Sequence, residues 1–137
     1  MFDLTGFTTG VAAFALAFAA AGLFTGLFKF IYQLVTPYNE RALIRQGNIA
    51  AAIALAGAIL GYVMPLVSAL NHTVSLVEFC AWALVSGGVQ ILVFTLVRLV
   101  LLPDVKARIE DGQIAAAIYL ATLSLAVGLL NAACMSA

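Results

Sequence analysis

The sequence predicts an all-α integral membrane protein with four transmembrane helices in a single membrane domain, residues 1–137. Of its 137 residues 65% are hydrophobic and 9% are charged, and the mean hydropathy is +1.16. This apolar content exceeds what a water-soluble core can bury. The apolar residues also form four runs, each near the roughly 20 residues that cross a ~30 Å hydrocarbon layer. A multi-pass membrane protein follows from these observations.

Pro, Gly and charged residues separate the four runs and set the predicted crossings. These are TM1 at 11–35, TM2 at 48–69, TM3 at 78–102 and TM4 at 113–133. The linkers before TM2 and TM4 are expected to be short helical segments. Pro37 suits the first turn of such a segment, and Thr36 is expected to cap it.

Two stretches of the chain are nearly the same. Positions 47–60 and 112–125 share nine identities in fourteen, including GNIAAAI and GQIAAAI. Because two crossings separate them, TM2 and TM4 should run in the same direction, which predicts a parallel tandem repeat of two hairpins, 11–70 and 78–135. Gly47 and Gly112 should mark the water–lipid boundary as a kink or a fresh helix start. The neighbouring amides, Asn48 and Gln113, either cap helices there or face a shared vestibule.

The basic residues predict the orientation of the chain. All six lie around the TM1–TM2 and TM3–TM4 junctions: Lys29, Arg41, Arg45, Arg98, Lys106 and Arg108. Because Lys and Arg resist translocation, both hairpin turns should be cytoplasmic and both termini outside. The formal net charge is zero, which gives no reason to expect a nucleic-acid partner.

Each predicted crossing carries a pair of small residues four positions apart. Such pairs allow close helix packing in lipid. These contacts are either used within one chain or join several copies, and we expect a homo-oligomer surrounded by lipid. The pairs are Gly22 and Gly26, Gly57 and Gly61, Ala83 and Gly87, and Ser124 and Gly128.

Polar residues within the crossings are few, and they define the candidate sites. Gln90 lies near mid-depth and either bonds another helix or lines a polar path with Asn48, Gln113 and Asn131. An inner cluster is either a ligand site or a set of structural ion pairs, in which Glu40 pairs with Lys29 or Arg98; its members are Lys29, Asn39, Glu40, Arg41, Arg45 and Arg98.

An outer cluster consists of His72, Glu78, Cys80 and Cys134. Its spacing matches no metal motif, so no metal or other cofactor is predicted. His72 is expected in a loop. The two cysteines are either free or joined by a disulfide.

Several strings resemble the YjfL family of small bacterial inner-membrane proteins, whose members have no assigned function. They cover nearly the whole chain after Leu34: TPYNE (36–40), GNIAAAIALAGAILGYVMPL (47–66), AW (81–82), QILVF (90–94), VRL (97–99) and NAACM (131–135). The resemblance implies four transmembrane helices in a tandem repeat.

Three functional classes remain, and a transport- or pore-like homo-oligomer is favoured, on analogy with transporters built from repeats. The alternative is a non-transporting accessory or scaffold subunit of a membrane complex. An enzyme or redox carrier using Cys134 and His72 is disfavoured, because the sequence contains no nucleophile–base pair or phosphate-binding loop.

Overall fold

The computed structural model describes residues 2–100 and 104–135, which fold entirely into α-helices and their connections. Four helices are long and apolar enough to cross a membrane, as predicted, and two are short. In chain order they are α1 (Leu4–Val35), α2 (Glu40–Arg45), α3 (Ile49–His72), α4 (Leu76–Val100), α5 (Val105–Glu110) and α6 (Ile114–Met135). Helix α1 thus begins earlier than the predicted Val11. The predicted end of TM3, Leu102, lies outside the described residues.

The short helices α2 and α5 end in the same way. Gly47 and Gly112 have φ angles of 85° and 75°, in the left-handed region that glycine adopts without steric cost. The Gly47 amide donates to the Ile44 carbonyl at 3.0 Å, and the Gly112 amide to the Ile109 carbonyl at 2.9 Å. This is the Schellman arrangement that closes a helix. The long helices α3 and α6 are therefore fresh starts and not kinked continuations.

The linker between α1 and α2 differs from the prediction. Pro37 disfavours helical backbone at the residue before it, and Thr36 is accordingly extended (φ −68°, ψ 132°) and ends α1. The Thr36 hydroxyl donates to the Tyr32 carbonyl. The cap of α2 is Asn39, whose Oδ1 accepts from the Ala42 amide at 3.2 Å. The expectation that Thr36 caps this helix and that Pro37 lies in its first turn is wrong.

Helix α3 is at the centre of the bundle and packs closely along α6. Gly57 lies against Ala121, and Gly61 lies against Ser124 and Gly128. A Cβ atom at Gly61 would be only 2.5 Å from the Ser124 carbonyl oxygen. The contacts advance in the same direction along both helices, which therefore run parallel. Small residues let the two backbones approach closely.

Pro65 of α3 adds a second feature to the close contact between α3 and α6. It has no N–H, so the carbonyl of Gly61, four residues earlier in α3, lacks its helical donor. That carbonyl lies directly against the backbone of Gly128. Any side chain at position 128 would collide with this carbonyl. Gly128 therefore leaves the space that the Gly61 carbonyl occupies.

Helix α1 attaches to the bundle through aromatic side chains. The Phe28 ring stacks on Tyr62 of α3, with ring centroids 4.4 Å apart, and Tyr32 contacts Phe94 of α4 at 4.7 Å. The Tyr62 hydroxyl in turn donates to the Ala83 carbonyl at 2.8 Å, which joins α3 to α4. Offset and tilted aromatic pairs add stability beyond the apolar area that they bury.

The small residues of α1 are not used in this packing. No described atom outside the local helix lies within 4 Å of the position of a Cβ atom at Gly22 or Gly26. By contrast, Gly87 of α4 lies against the Tyr62 ring. Within one chain, the small-residue faces of α3, α4 and α6 meet other helices, and that of α1 remains open.

Gly61→Ala should destabilise the protein, because the added methyl group would meet backbone atoms of α6. Overpacking of this kind costs about 1–3 kcal/mol. Gly88→Ala is the matched control, since nothing lies within 4 Å of that Cβ position on α4. Thermal unfolding in detergent should show a lower midpoint for Gly61→Ala only. Equal midpoints for the two variants would contradict this packing.

Candidate functional site

The least expected feature of the structure is a buried, unpaired carboxylate at the end of the bundle formed by α2 and α5. Glu40, the first residue of α2, is 2% exposed. Neither of its carboxylate oxygens has a hydrogen-bond partner among the described residues. The ion pair found within residues 2–100 and 104–135 joins Arg108 to Asp104 at 2.7 Å and does not involve Glu40.

Glu40 therefore forms no ion pair with Lys29 or Arg98, and that alternative is wrong. Burying a charged group without a partner costs several kcal/mol. The group is stable at this position only if it is neutral or holds a cation.

Two tyrosines surround this carboxyl group. The hydroxyls of Tyr32 in α1 and Tyr38 in the linker lie near Glu40 and favour its charged form. Like the carboxylate oxygens, both hydroxyls are buried and complete no hydrogen bond of normal geometry with the described residues. We call Glu40, Tyr32 and Tyr38 the Glu40 pocket. Its three polar groups act on one another, and no other described residue forms a hydrogen bond with them.

The electrostatics of the Glu40 pocket are dominated by burial. Burial raises the pKa of the Glu40 carboxyl from 4.5 to about 7, although the two tyrosine hydroxyls and the Lys29 ammonium act in the opposite direction. Burial, together with the charge of Glu40, also raises the pKa of the Tyr38 hydroxyl. Glu40 therefore changes charge near neutral pH, whereas Tyr38 stays neutral.

Arg98 lies beside the Glu40 pocket but is held by other groups. Its Nη1 donates to the carbonyl of Val35, the last residue of α1, at 2.7 Å. Its guanidinium carbon also lies 5.2 Å from the centre of the Phe94 ring, a cation–π distance. A cation at a helix C-terminus complements the helix dipole. Arg98 thus fixes the end of α1 and forms no ion pair with Glu40.

A groove of about 470 Å³ gives access to the Glu40 pocket from one side. It is bounded by apolar and polar groups: Phe30, Gln33, Leu34, Tyr38, Asn39, Glu40 and Arg41. Of the predicted inner cluster, Lys29, Arg41 and Arg45 are exposed, Asn39 caps α2, and Glu40 alone is buried.

Gln90 is buried in the middle of α4, at 4% exposure. Its Nε2 donates to the Ser124 carbonyl of α6 at 3.4 Å, and its Oε1 has no partner among the described residues. Both Gln90 and Tyr32 line a cavity of about 10 Å³ between α1, α3, α4 and α6. A void of this size accommodates about one water molecule.

The unpartnered buried side-chain oxygens lie in two places, the Glu40 pocket and Gln90. Tyr32 belongs to the Glu40 pocket and also lines the small cavity beside Gln90. About one turn before Gln90 in α4, the Ser86 carbonyl accepts from the Asn131 amide of α6 at 3.2 Å.

Asn48 and Gln113 differ in their environment despite their matching positions. The Asn48 side chain caps α3 by accepting from the Ala51 amide at 3.0 Å, and donates to the Ile109 carbonyl of α5 at 2.8 Å. Gln113 is exposed. Asn48 therefore connects the N-terminus of α3 to α5.

The predicted outer cluster does not form a metal site. Among residues 2–100 and 104–135, no three His, Cys, Asp or Glu residues lie close enough to hold a metal ion. His72 is the last residue of α3 and not a loop residue; its Nδ1 is 2.8 Å from the Ser68 carbonyl oxygen. Glu78 is exposed, and Cys80 and Cys134 are free thiols.

Sequence reasoning missed the tyrosines of the Glu40 pocket. Tyr32 lies in an apolar run, where an aromatic residue is usually part of a core. Tyr38 lies in a polar linker, where exposure is the ordinary expectation. Tyr32 and Glu40 are eight residues apart, on either side of the Thr36–Pro37 turn, and this spacing was the available sequence signal. The two side chains meet because α1 also packs against α4.

These features define the class: a multi-pass membrane protein with four apolar helices. The family model described as "Domain of Unknown Function (DUF350)" matches residues 5–135. The chain belongs to this family, and no activity is assigned to it.

Two similar proteins carry the name UPF0719 inner membrane protein YjfL. They come from Escherichia coli strain K12 and from Escherichia coli O157:H7. Each is 43% identical over 107 residues, which is 78% of this chain and 80% of the relative. No solved structure matches this chain.

Glu40 should make the stability of the protein depend on pH. Its folded-state pKa of about 7 exceeds the ordinary value of 4.5, so the folded protein holds the proton more tightly. The stabilisation is complete below about pH 4.5 and is lost as the pH rises through about 7. Wild-type protein should therefore lose up to about 3 kcal/mol between about pH 5 and pH 8, relative to Glu40→Gln.

Thermal unfolding of both proteins in detergent measures this difference. Glu78→Gln removes an exposed carboxylate from α4 and should follow the wild-type pH profile. If the unfolding midpoint of Glu40→Gln changed with pH in parallel with that of the wild-type protein, Glu40 would not be a buried group that titrates near neutral pH.

Proposed function

We propose that this protein is a transport- or pore-like protein of the inner membrane and that it acts as a homo-oligomer. The single observation that carries the proposal is the set of unpartnered buried oxygens in the Glu40 pocket and at Gln90, two places that share a small cavity. Unsatisfied polar groups within a membrane are costly and are typical of ion or substrate pathways. The Glu40 pocket is the entrance of this path, and Gln90 lies at mid-depth.

A single chain in this conformation is closed. The cavity beside Gln90 has room for about one water molecule, and α3 and α6 are in close contact. Passage of a solute therefore requires a second arrangement of the helices or several copies. The open small-residue face of α1, at Gly22 and Gly26, is the surface on which we base the homo-oligomer.

The same open face favours a second candidate, an accessory or scaffold subunit. In that case, α1 would pack against a helix of another membrane protein. A stable hetero-complex after mild detergent extraction supports this candidate, and a protein that purifies only with itself argues against it.

The proposal also includes an internal repeat and an orientation of the chain in the membrane. We regard the two halves, 11–70 and 78–135, as a parallel tandem repeat, an origin supported by the matching helix ends at Gly47 and Gly112. The placement of Lys and Arg supports cytoplasmic hairpin turns and outside termini. A membrane-impermeant maleimide should then label the exposed Cys134 in cells with a permeabilised outer membrane; failure to label it would contradict this orientation.

Liposomes containing the purified protein should dissipate an imposed ion gradient, and Gln90→Leu should reduce the flux at least tenfold. The substitution removes both polar atoms of the buried side chain at mid-depth. Fluorescent reporters of internal pH, sodium and potassium measure the flux. Native mass spectrometry of the same preparations should show more than one copy of the chain, and fewer copies for Gly26→Leu.

Gln46→Leu is the control, because Gln46 is exposed at the end of α2 and away from the path. It should conduct like wild type. Liposomes that remain silent for all three ions, or equal flux in Gln90→Leu and wild type, would contradict the proposed path.

A further inference from the structure

We propose that Glu40, Tyr32 and Tyr38 form a binding site for one monovalent cation, either a proton or an alkali-metal ion. The inference deepens the proposed function, since it names the class of solute at the entrance of the path, and it rests on that function for its physiological meaning. Binding at the Glu40 pocket is nevertheless measurable without any flux.

The first argument is the absence of a charged partner among the described residues. Both Glu40 oxygens are buried, no described cation forms an ion pair with them, and the neutral Tyr32 and Tyr38 hydroxyls are the hydrogen-bonding groups nearby. A bare carboxylate is not stable in such surroundings. A cation, whether a proton or a metal ion, is the simplest group that supplies the missing charge.

The second argument is that packing does not require a carboxyl group at this position. Glu40 follows the N-cap Asn39 as the first residue of α2. Val105 follows the N-cap Asp104 as the first residue of α5, 65 positions later, and it is also 2% exposed. An apolar side chain fills the corresponding position of the second short helix. Glu40 therefore carries a desolvation cost that valine would avoid.

The third argument is the chemistry of the donors. The Glu40 pocket offers one carboxylate and two phenol oxygens, and no nitrogen or sulfur ligand. Oxygen ligands of this kind suit hard cations such as protons and alkali-metal ions rather than soft transition metals. A phenol can also donate a hydrogen bond to the carboxylate or accept one from a carboxylic acid. The same pocket can thus stabilise Glu40 both as a carboxylate with a bound metal ion and as a protonated carboxylic acid.

The surrounding charges limit the site to a single positive charge. Lys29 of α1 and Arg98 of α4 act electrostatically on the pocket, and Arg41 borders the groove. The Lys29 ammonium acts on the Glu40 carboxyl itself, and this nearby positive charge opposes a divalent ion more strongly than a monovalent one. No described cation forms an ion pair with Glu40, so both carboxylate oxygens remain available to a monovalent ion.

The groove beside the pocket supplies the route of entry. It has a volume of about 470 Å³ and is bordered by Tyr38, Glu40 and Arg41 together with apolar groups of α1. The carboxyl group is therefore shielded from bulk water by its neighbours, yet it lies at the wall of an open space.

Reaction with dicyclohexylcarbodiimide tests the site directly, because this apolar reagent attacks protonated carboxyl groups in apolar surroundings. Purified full-length protein in mild detergent is treated over a series of pH values, and intact and peptide masses locate the adduct. We expect one adduct on Glu40, with a rate that falls about tenfold per pH unit above neutrality.

A second arm distinguishes the two cations. At fixed pH and ionic strength, choline is replaced by sodium or potassium. Slower labelling in either salt assigns the site to an alkali-metal ion in competition with the proton. Equal rates in all three salts, with the pH dependence retained, assign it to the proton alone.

Matched variants separate the site from general effects. Tyr38→Phe removes one hydroxyl that favours the charged form, and it should move the pH of half-maximal labelling upward. Tyr119→Phe, at an exposed position of α6, and Glu78→Gln should leave Glu40 labelling unchanged. Because the adduct is mapped on wild-type protein, the test does not depend on whether a Glu40 variant folds.

Two results would overturn the proposal: no adduct on Glu40 at any pH, or labelling of Glu40 that responds to neither pH nor sodium nor potassium. Silent liposomes with normal labelling of Glu40 would contradict the transport role alone and leave the binding site intact.

Discussion

The close contact between α3 and α6 is the constraint on which the rest of the structure depends. Gly57, Gly61 and Gly128 allow the two backbones to approach so nearly that no side chain fits between them. In lipid, where no hydrophobic force joins helices, such contact supplies dispersion energy. With these two parallel helices fixed, α4 and then α1 can attach through the hydroxyl and ring of Tyr62.

The polar groups of the bundle divide into two kinds. Asn48, Ser68 and Asn131 each donate to a backbone carbonyl of another helix, at 2.8, 3.0 and 3.2 Å, and these bonds hold helices together. Glu40 and Gln90, by contrast, are buried with oxygens that the described chain leaves unpartnered. The first kind accounts for the fold. The unpartnered groups of the second kind destabilise the folded state. Because folding alone does not require them, we connect them with function.

The sequence was sufficient to predict the four long helices, because length and hydropathy alone decide whether a segment can cross a membrane. It also indicated the small-residue contacts of α3 and α6. It could not indicate that Gly22 and Gly26 would stay open while Phe28 and Tyr32 carry the docking of α1, since both patterns are compatible with a packed face. The Glu40 pocket was out of reach for a similar reason: a glutamate near Lys29 and Arg98 normally pairs with them, and only the structure shows Arg98 engaged by Val35 and Phe94.

The central claim is that Glu40 is kept buried without a charged partner among the described residues and is therefore neutral unless it holds a cation. Infrared difference spectroscopy of the purified protein in salt-free choline buffer measures the protonation state of this group most directly. The account predicts the C=O stretching band of a protonated carboxylic acid at about pH 6, which fades towards about pH 8 and is missing in Glu40→Gln. A wild-type spectrum that lacks this band at about pH 6, and so shows Glu40 already ionised, would contradict it.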